Sequence, residues 1–69
     1  MDNADFLKQV GDKIKEARNE QKITVRELGL LTGLDYGHIS RTENGQVDCK
    51  LSTLKSIADA LNCDLKAFL

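Results

Sequence analysis

Between Tyr36 and Arg41 the chain gathers a phenol, an imidazole, a hydroxyl and a guanidinium, on Tyr36, His38, Ser40 and Arg41. All four can donate hydrogen bonds, and the planar fork of Arg41 suits a guanine edge or a phosphate. Tyr36 can reach a phosphate or lie on a thymine methyl group, and His38 can donate to phosphate or base. Catalysis fits poorly. His38 is the only histidine, and no nucleophile–base pair or phosphate loop accompanies it. Cys49 and Cys63 fit neither a zinc spacing nor a disulfide framework. No metal, cofactor or enzymatic activity is expected.

The elements that must position these groups are marked by local signals. Thr24 followed by Glu27 is a capping box, in which each side chain satisfies the other's backbone N–H. Ile23 and Leu28 flank it as a hydrophobic staple. Gly29 inside this helix costs about 1 kcal/mol against alanine, which suggests that another helix approaches closely there. Thr32-Gly33 stops the segment. Asp35 then caps the helix that carries Tyr36 to Arg41, Leu34 and Ile39 form a second staple, and Asn44-Gly45 ends it. Two capped helices joined by so tight a turn form the unit that places a recognition helix in a DNA major groove.

Around this unit, Phe6 or Leu7, Val10, Ile14 and Ala17 fall on one face of a preceding helix. Asp2 or Asn3 is its expected cap, and some backbone cost is expected at Gln21 or Lys22, where a glycine stop is missing. Leu54, Ile57, Ala58 and Leu61 line a later helix, with Ser52 as its candidate cap and Asn62 as its stop. Asp64 caps a last short turn containing Leu65, Phe68 and Leu69. The expected helices span about residues 5–21, 24–31, 36–44, 52–62 and 65–69, in a single all-α domain covering residues 1–69.

With 69 residues the core must be small. No apolar run approaches the length that spans a membrane, and the acidic start lacks the layout of a secretory signal. A reduced, cytoplasmic protein is the simplest reading. The formal net charge of −1 counts against a nucleic-acid partner. The distribution softens this, because Lys22, Arg26, Arg41, Lys50 and Lys55 outnumber Glu27, Asp35, Glu43 and Asp48 between residues 22 and 55.

Val10-Gly11 with Ile14, Arg18, Ile23-Thr24, Glu27-Leu28-Gly29, Gly33-Leu34, Ile39-Ser40-Arg41, Glu43-Asn44-Gly45, Leu51, Thr53-Leu54, Ile57-Ala58, Ala60-Leu61 and the LKAFL end stand in a joint spacing. That spacing resembles the Cro and phage-repressor (XRE) helix-turn-helix family over about Val10 to Leu69. The resemblance implies a five-helix, lambda-repressor-like domain. It also implies a transcriptional regulator, repressor-like, that binds an inverted-repeat operator in double-stranded DNA as a homodimer. The competing expectation is a protein-interaction module or antitoxin-like protein with weak DNA binding, or a regulatory protein partner beside the DNA.

The residues carried over as DNA-binding are Thr24, Val25, Arg26, Tyr36, Gly37, His38, Ser40, Arg41, Asn44, Gln46 and Lys50. Each has an ordinary alternative: a solvated Arg41, Tyr36 packed on Leu34, a solvent-facing His38, a Ser40 bonded back to its helix, a polar loop at Asn44, Gln46 and Lys50. Val25 stands where the family often has glutamine, and Gly37 where it often has a long polar residue. Both substitutions remove side-chain contacts. By the same resemblance Arg18 and Glu43 form a buried structural ion pair, and Leu65, Phe68 and Leu69 are expected at a dimer interface. Cys63 is expected in the core and Cys49 exposed in a loop, where it could act as a redox switch.

Overall fold

Helix ends in this chain are set by bonds that reach only a few residues. Thr24 lies in extended backbone, with φ −78° and ψ 163°. The Glu27 N–H donates to Thr24 Oγ1 at 3.1 Å, and the Thr24 N–H donates to Glu27 Oε1 at 3.0 Å. This completes the capping box. Asp35 caps the next helix, its carboxylate accepting from the His38 N–H at 3.3 Å. Gly33 takes φ 75° and ends the helix before it.

The computed structural model describes residues 3–69, so the Asp2 alternative for the first cap lies outside the described residues. These form α1 (Asn3–Glu20), α2 (Val25–Thr32), α3 (Tyr36–Glu43), α4 (Leu51–Ala60) and a closing 3₁₀ turn (Leu65–Phe68). The class is all-α, as expected, and no strand occurs among the described residues. The fifth element is the tighter 3₁₀ form, which suits a piece this short.

Some boundaries differ from the sequence reading. Asn3 lies inside α1 rather than capping it. Lys50, not Ser52, is the cap residue of α4, and it supplies no side-chain bond. Ser52 sits one residue inside that helix, where its carbonyl accepts from Ser56 Oγ at 3.1 Å. Where α1 stops, the Ile23 N–H donates to the Arg18 carbonyl at 3.1 Å. This turn holds Lys22 at φ 58°, the backbone cost foreseen for a stop without glycine. The turn after α4 repeats the pattern with Asn62 at φ 55°.

Among the described residues, nine fill the core: Val10, Ile14, Leu28, Ile39, Leu54, Ile57, Ala58, Leu61 and Phe68. They come from all four helices and the closing turn, so no element buries its apolar face alone. Leu7 is half-buried, while Phe6 is exposed. At Gly11, α1 comes close to the end of α3. A Cβ on Gly11 would collide with the Glu43 and Thr42 carbonyl oxygens. Glycine at this position lets α1 rest directly on the α3 backbone.

Beneath that crossing runs the main polar contact of the interior. Arg18 Nε donates to Glu43 Oε2 at 2.7 Å, and Arg18 Nη2 to Glu43 Oε1 at 3.0 Å. Arg18 Nη1 also donates to the Ile23 carbonyl at 2.7 Å. The bidentate pair ties α1 to the last turn of α3, and the third bond ties both to the entry of α2.

Candidate nucleic-acid interface

Ile39 is the one fully buried apolar side chain of α3. With Thr42 and Glu43, also buried, it anchors one face of the helix to the core. Thr42, though polar, therefore faces inward and not toward the outer side of the helix. Its hydroxyl bonds back to the His38 carbonyl at 2.9 Å.

What α3 presents outward is Tyr36, Gly37, His38, Ser40 and Arg41. Tyr36 is 50% exposed and Arg41 is exposed, while His38 and Ser40 are half-buried. A side chain at Gly37 would come within 3.0 Å of Asp35 Oδ2 and 3.5 Å of Arg41 Nη1. The glycine therefore leaves a notch between a carboxylate and a guanidinium. His38 turns to the other side, lining a shallow groove with Asp48, Cys49, Lys50 and Thr53.

The start of α2 lies beside the start of α3, because Gly29 allows it. A Cβ there would stand 3.0 Å from the Leu34 carbonyl oxygen and 3.5 Å from Tyr36 Cβ. The close neighbour is thus the turn and first residue of α3, reached within the helix pair itself. Across this junction the Arg26 guanidinium lies 5.0 Å from the centre of the Tyr36 ring. Sequence reasoning missed this contact. Its only trace was an arginine early in one helix and an aromatic at the head of the next.

Of the first turn of α2, Thr24 and Arg26 are exposed, whereas Val25 is half-buried against the core. Val25 offers no side-chain hydrogen bond to a ligand at this surface. Glu27 is exposed, and the N–H of Thr24 followed by its hydroxyl holds the carboxyl below its usual range. Asn44, Gln46 and Lys50 lie exposed beyond α3. Burial pushes the thiol of half-buried Cys49 up, so it is less available as a thiolate than the exposed loop position expected for it. Cys63 is half-buried against the core.

The charges separate into committed and open ones. Lys8 pairs with Asp12, Lys55 with Asp59 and Arg18 with Glu43. Arg26, Arg41 and Lys50 have no carboxylate within 4.0 Å among the described residues. Arg26, Arg41 and Lys50 thus stand open on the α2–α3 side, interspersed with the exposed carboxylates of Glu27, Asp35 and Asp48. The arrangement can bind an anionic, hydrogen-bonding surface, and no group of His, Cys, Asp and Glu able to hold a metal occurs among the described residues.

The expected dimer residues divide. Phe68 is 1% exposed and among the largest fully buried side chains, so it serves the core and is not available at the surface. Leu65 packs half-buried beside it, and Leu69 is 56% exposed. No described helix is long and apolar enough to cross a membrane.

This geometry has close relatives. The helix-turn-helix family profile HTH_3 matches residues 14–68. The transcriptional repressor RghR of Bacillus subtilis is 36% identical over 56 residues, covering 80% of this chain and 42% of that protein. An uncharacterised helix-turn-helix regulator of Sinorhizobium fredii, y4dL, is 34% identical over 56 residues, covering 81% of this chain and 29% of its own length. The chain therefore spans less than half the length of these curated relatives. Among solved structures, the restriction-modification controller protein C.AhdI from Aeromonas hydrophila superposes with a TM-score of 0.88 at 27% identity, covering 96% of this chain and 98% of that one. Those matches and the α2–α3 geometry agree: the chain belongs to the HTH_3 helix-turn-helix family of transcriptional regulators.

Proposed function

We propose that the chain binds double-stranded DNA and regulates transcription as a repressor-like symmetric homodimer on an inverted-repeat operator. The observation that carries this reading is the α2–α3 pair, anchored from within by Ile39 and by Arg18–Glu43, with uncommitted cations on its outer side. In this reading residues 1–69 act as a single binding unit. Helix α3 enters the major groove, and the half-sites of the dimer lie ~34 Å apart, about one helical turn. Arg41 meets a base edge or phosphate beside the notch at Gly37, Ser40 contacts the same groove, and His38 reaches the DNA from the side it shares with Lys50. The N-terminus of α2, with the Val25 and Arg26 N–H groups and the helix dipole, holds a phosphate. Asn44, Gln46 and Lys50 follow the backbone beyond α3. Exposed Leu69 supplies apolar area near the C-terminal end for the second protomer.

A second reading, a protein-interaction module, is favoured by Leu30 and Leu31, which are 85% and 60% exposed. Val25 and Gly37 support it by thinning the base-reading surface. Selection of bound duplexes from random DNA, followed by titration at two salt concentrations, separates the two. The regulator reading expects a symmetric enriched sequence and binding that weakens steeply with salt, as counterion release requires. Absence of binding at low salt would exclude it and leave the interaction module.

A further inference from the structure

The contact between Arg26 and Tyr36 joins the two helix starts that face the proposed DNA. Arg26 lies one turn before Gly29 on α2, and that glycine lets Tyr36 come up against the helix backbone. Arg26, Gly29, Leu30, Leu34, Asp35 and Tyr36 line one shallow groove, Asp35 being held by its cap bond to the His38 N–H. The guanidinium sits 5.0 Å from the ring centre, within the range of a cation–π attraction. No carboxylate competes for Arg26 within 4.0 Å among the described residues. The other side chains in this turn are committed elsewhere: Val25 packs on the core, and Glu27 is held by Thr24. Arg26 is thus the only cation in the first turn of α2. A guanidinium resting on an aromatic face keeps its N–H donors free at its rim, and it loses less side-chain freedom on binding than a solvated one.

We infer that Tyr36 is a positioning residue whose ring holds the Arg26 guanidinium at the junction of α2 and α3, and that Arg26 is the side chain that grips a DNA phosphate there. This rests on the DNA-binding reading and deepens it. Tyr36 is reassigned from reading bases to aiming a phosphate contact, so it contributes affinity without sequence preference. Specificity then falls to Arg41, His38 and Ser40.

The test uses the full chain with Arg26→Ala, Tyr36→Phe, Tyr36→Leu, the double variant Arg26→Ala/Tyr36→Leu, and Arg41→Ala. Each is titrated against the duplex enriched by selection and against a mixed-sequence duplex. Arg26→Ala should weaken both complexes by one factor, roughly three- to tenfold, and reduce the salt slope by about one. Tyr36→Phe should bind like the parent. Tyr36→Leu should weaken both complexes about two- to fivefold, the scale of an exposed cation–π contact. In the Arg26→Ala background it should have no further effect.

An equal loss from Tyr36→Leu in both backgrounds, or an altered selected sequence, would mean that Tyr36 touches DNA itself and would overturn the inference. A loss confined to Arg41→Ala would also overturn it while leaving the DNA-binding reading in place. A readout without DNA covers the remaining case. In the free protein the Arg26 side-chain protons should be shifted upfield by the ring in the parent and Tyr36→Phe, and not in Tyr36→Leu. Absence of that shift overturns the positioning role. If the shift is present and no variant or parent binds any duplex, the DNA-binding reading fails and the phosphate contact fails with it.

Discussion

Arg18 and Glu43 show how one buried contact can carry the geometry of a binding surface it never touches. Their two bonds, at 2.7 and 3.0 Å, join residues 25 positions apart. Through Arg18 Nη1 and the Ile23 carbonyl the same guanidinium also fixes the entry to α2. A buried pair of this kind adds little beyond an apolar pair of equal shape, yet removing one partner leaves a charge stranded. Glu43→Ala should therefore destabilise the fold by about 3–5 kcal/mol and lower the Tm by more than ~10 °C. A melting curve matching the parent's would remove the pair from its structural role. Resemblance, not periodicity, was what made these two residues legible as partners, since nothing local links position 18 to position 43. The Arg26–Tyr36 contact had no comparable signal, because either residue reads equally well as an isolated surface side chain.

At the scale of elements, hydrogen bonding fixes where helices start and packing fixes how they meet. The Thr24–Glu27 box lowers the Glu27 pKa from its usual 4.5, chiefly through the Thr24 N–H and then its hydroxyl. A carboxyl whose folded pKa is depressed adds stability above its unfolded pKa and loses it as pH falls through the folded value. The stability difference between the parent and Glu27→Gln should therefore be present at neutral pH and shrink below pH 4.5. Thr24→Ala removes the hydroxyl but keeps the N–H, so the Glu27 titration, followed by NMR, should move only part of the way back toward its usual range. The box was plain in the sequence because its bonds span three residues. Gly11 is the opposite case. It was quoted as part of a resemblance, with no reason for glycine, and its role emerges only from the α3 carbonyls lying over it. Gly11→Ala should destabilise the chain by about 3 kcal/mol, the upper range for overpacking, although alanine favours a helix. Denaturant unfolding checks this, and an unchanged midpoint would mean that α1 can shift off α3 without cost.

Taken whole, the molecule sets a net charge of −1 beside membership of a family of DNA-binding regulators, and the placement of single cations matters more than their sum. Ion pairs occupy lysines on the outer faces of α1 and α4, and Arg18 is consumed inside, while Arg26, Arg41 and Lys50 stay open on the α2–α3 side. Local field, rather than total charge, governs approach to a polyanion. The same packing takes Phe68 out of any interface and turns Val25 inward, two assignments that the sequence placed at the surface. The sequence by itself determined the all-helical class, the caps at Thr24, Asp35 and Asp64, the stop at Gly33 and the two-helix unit between them. These depend on bonds and side-chain repeats a few residues long, which can be seen in a linear string. Only the tertiary structure decided that Phe68 belongs to the core and Phe6 does not, why Gly11 must be small, which backbone approaches Gly29, and that Tyr36 faces Arg26. Those outcomes depend on distances between helices, and such distances exist only after the whole core has closed.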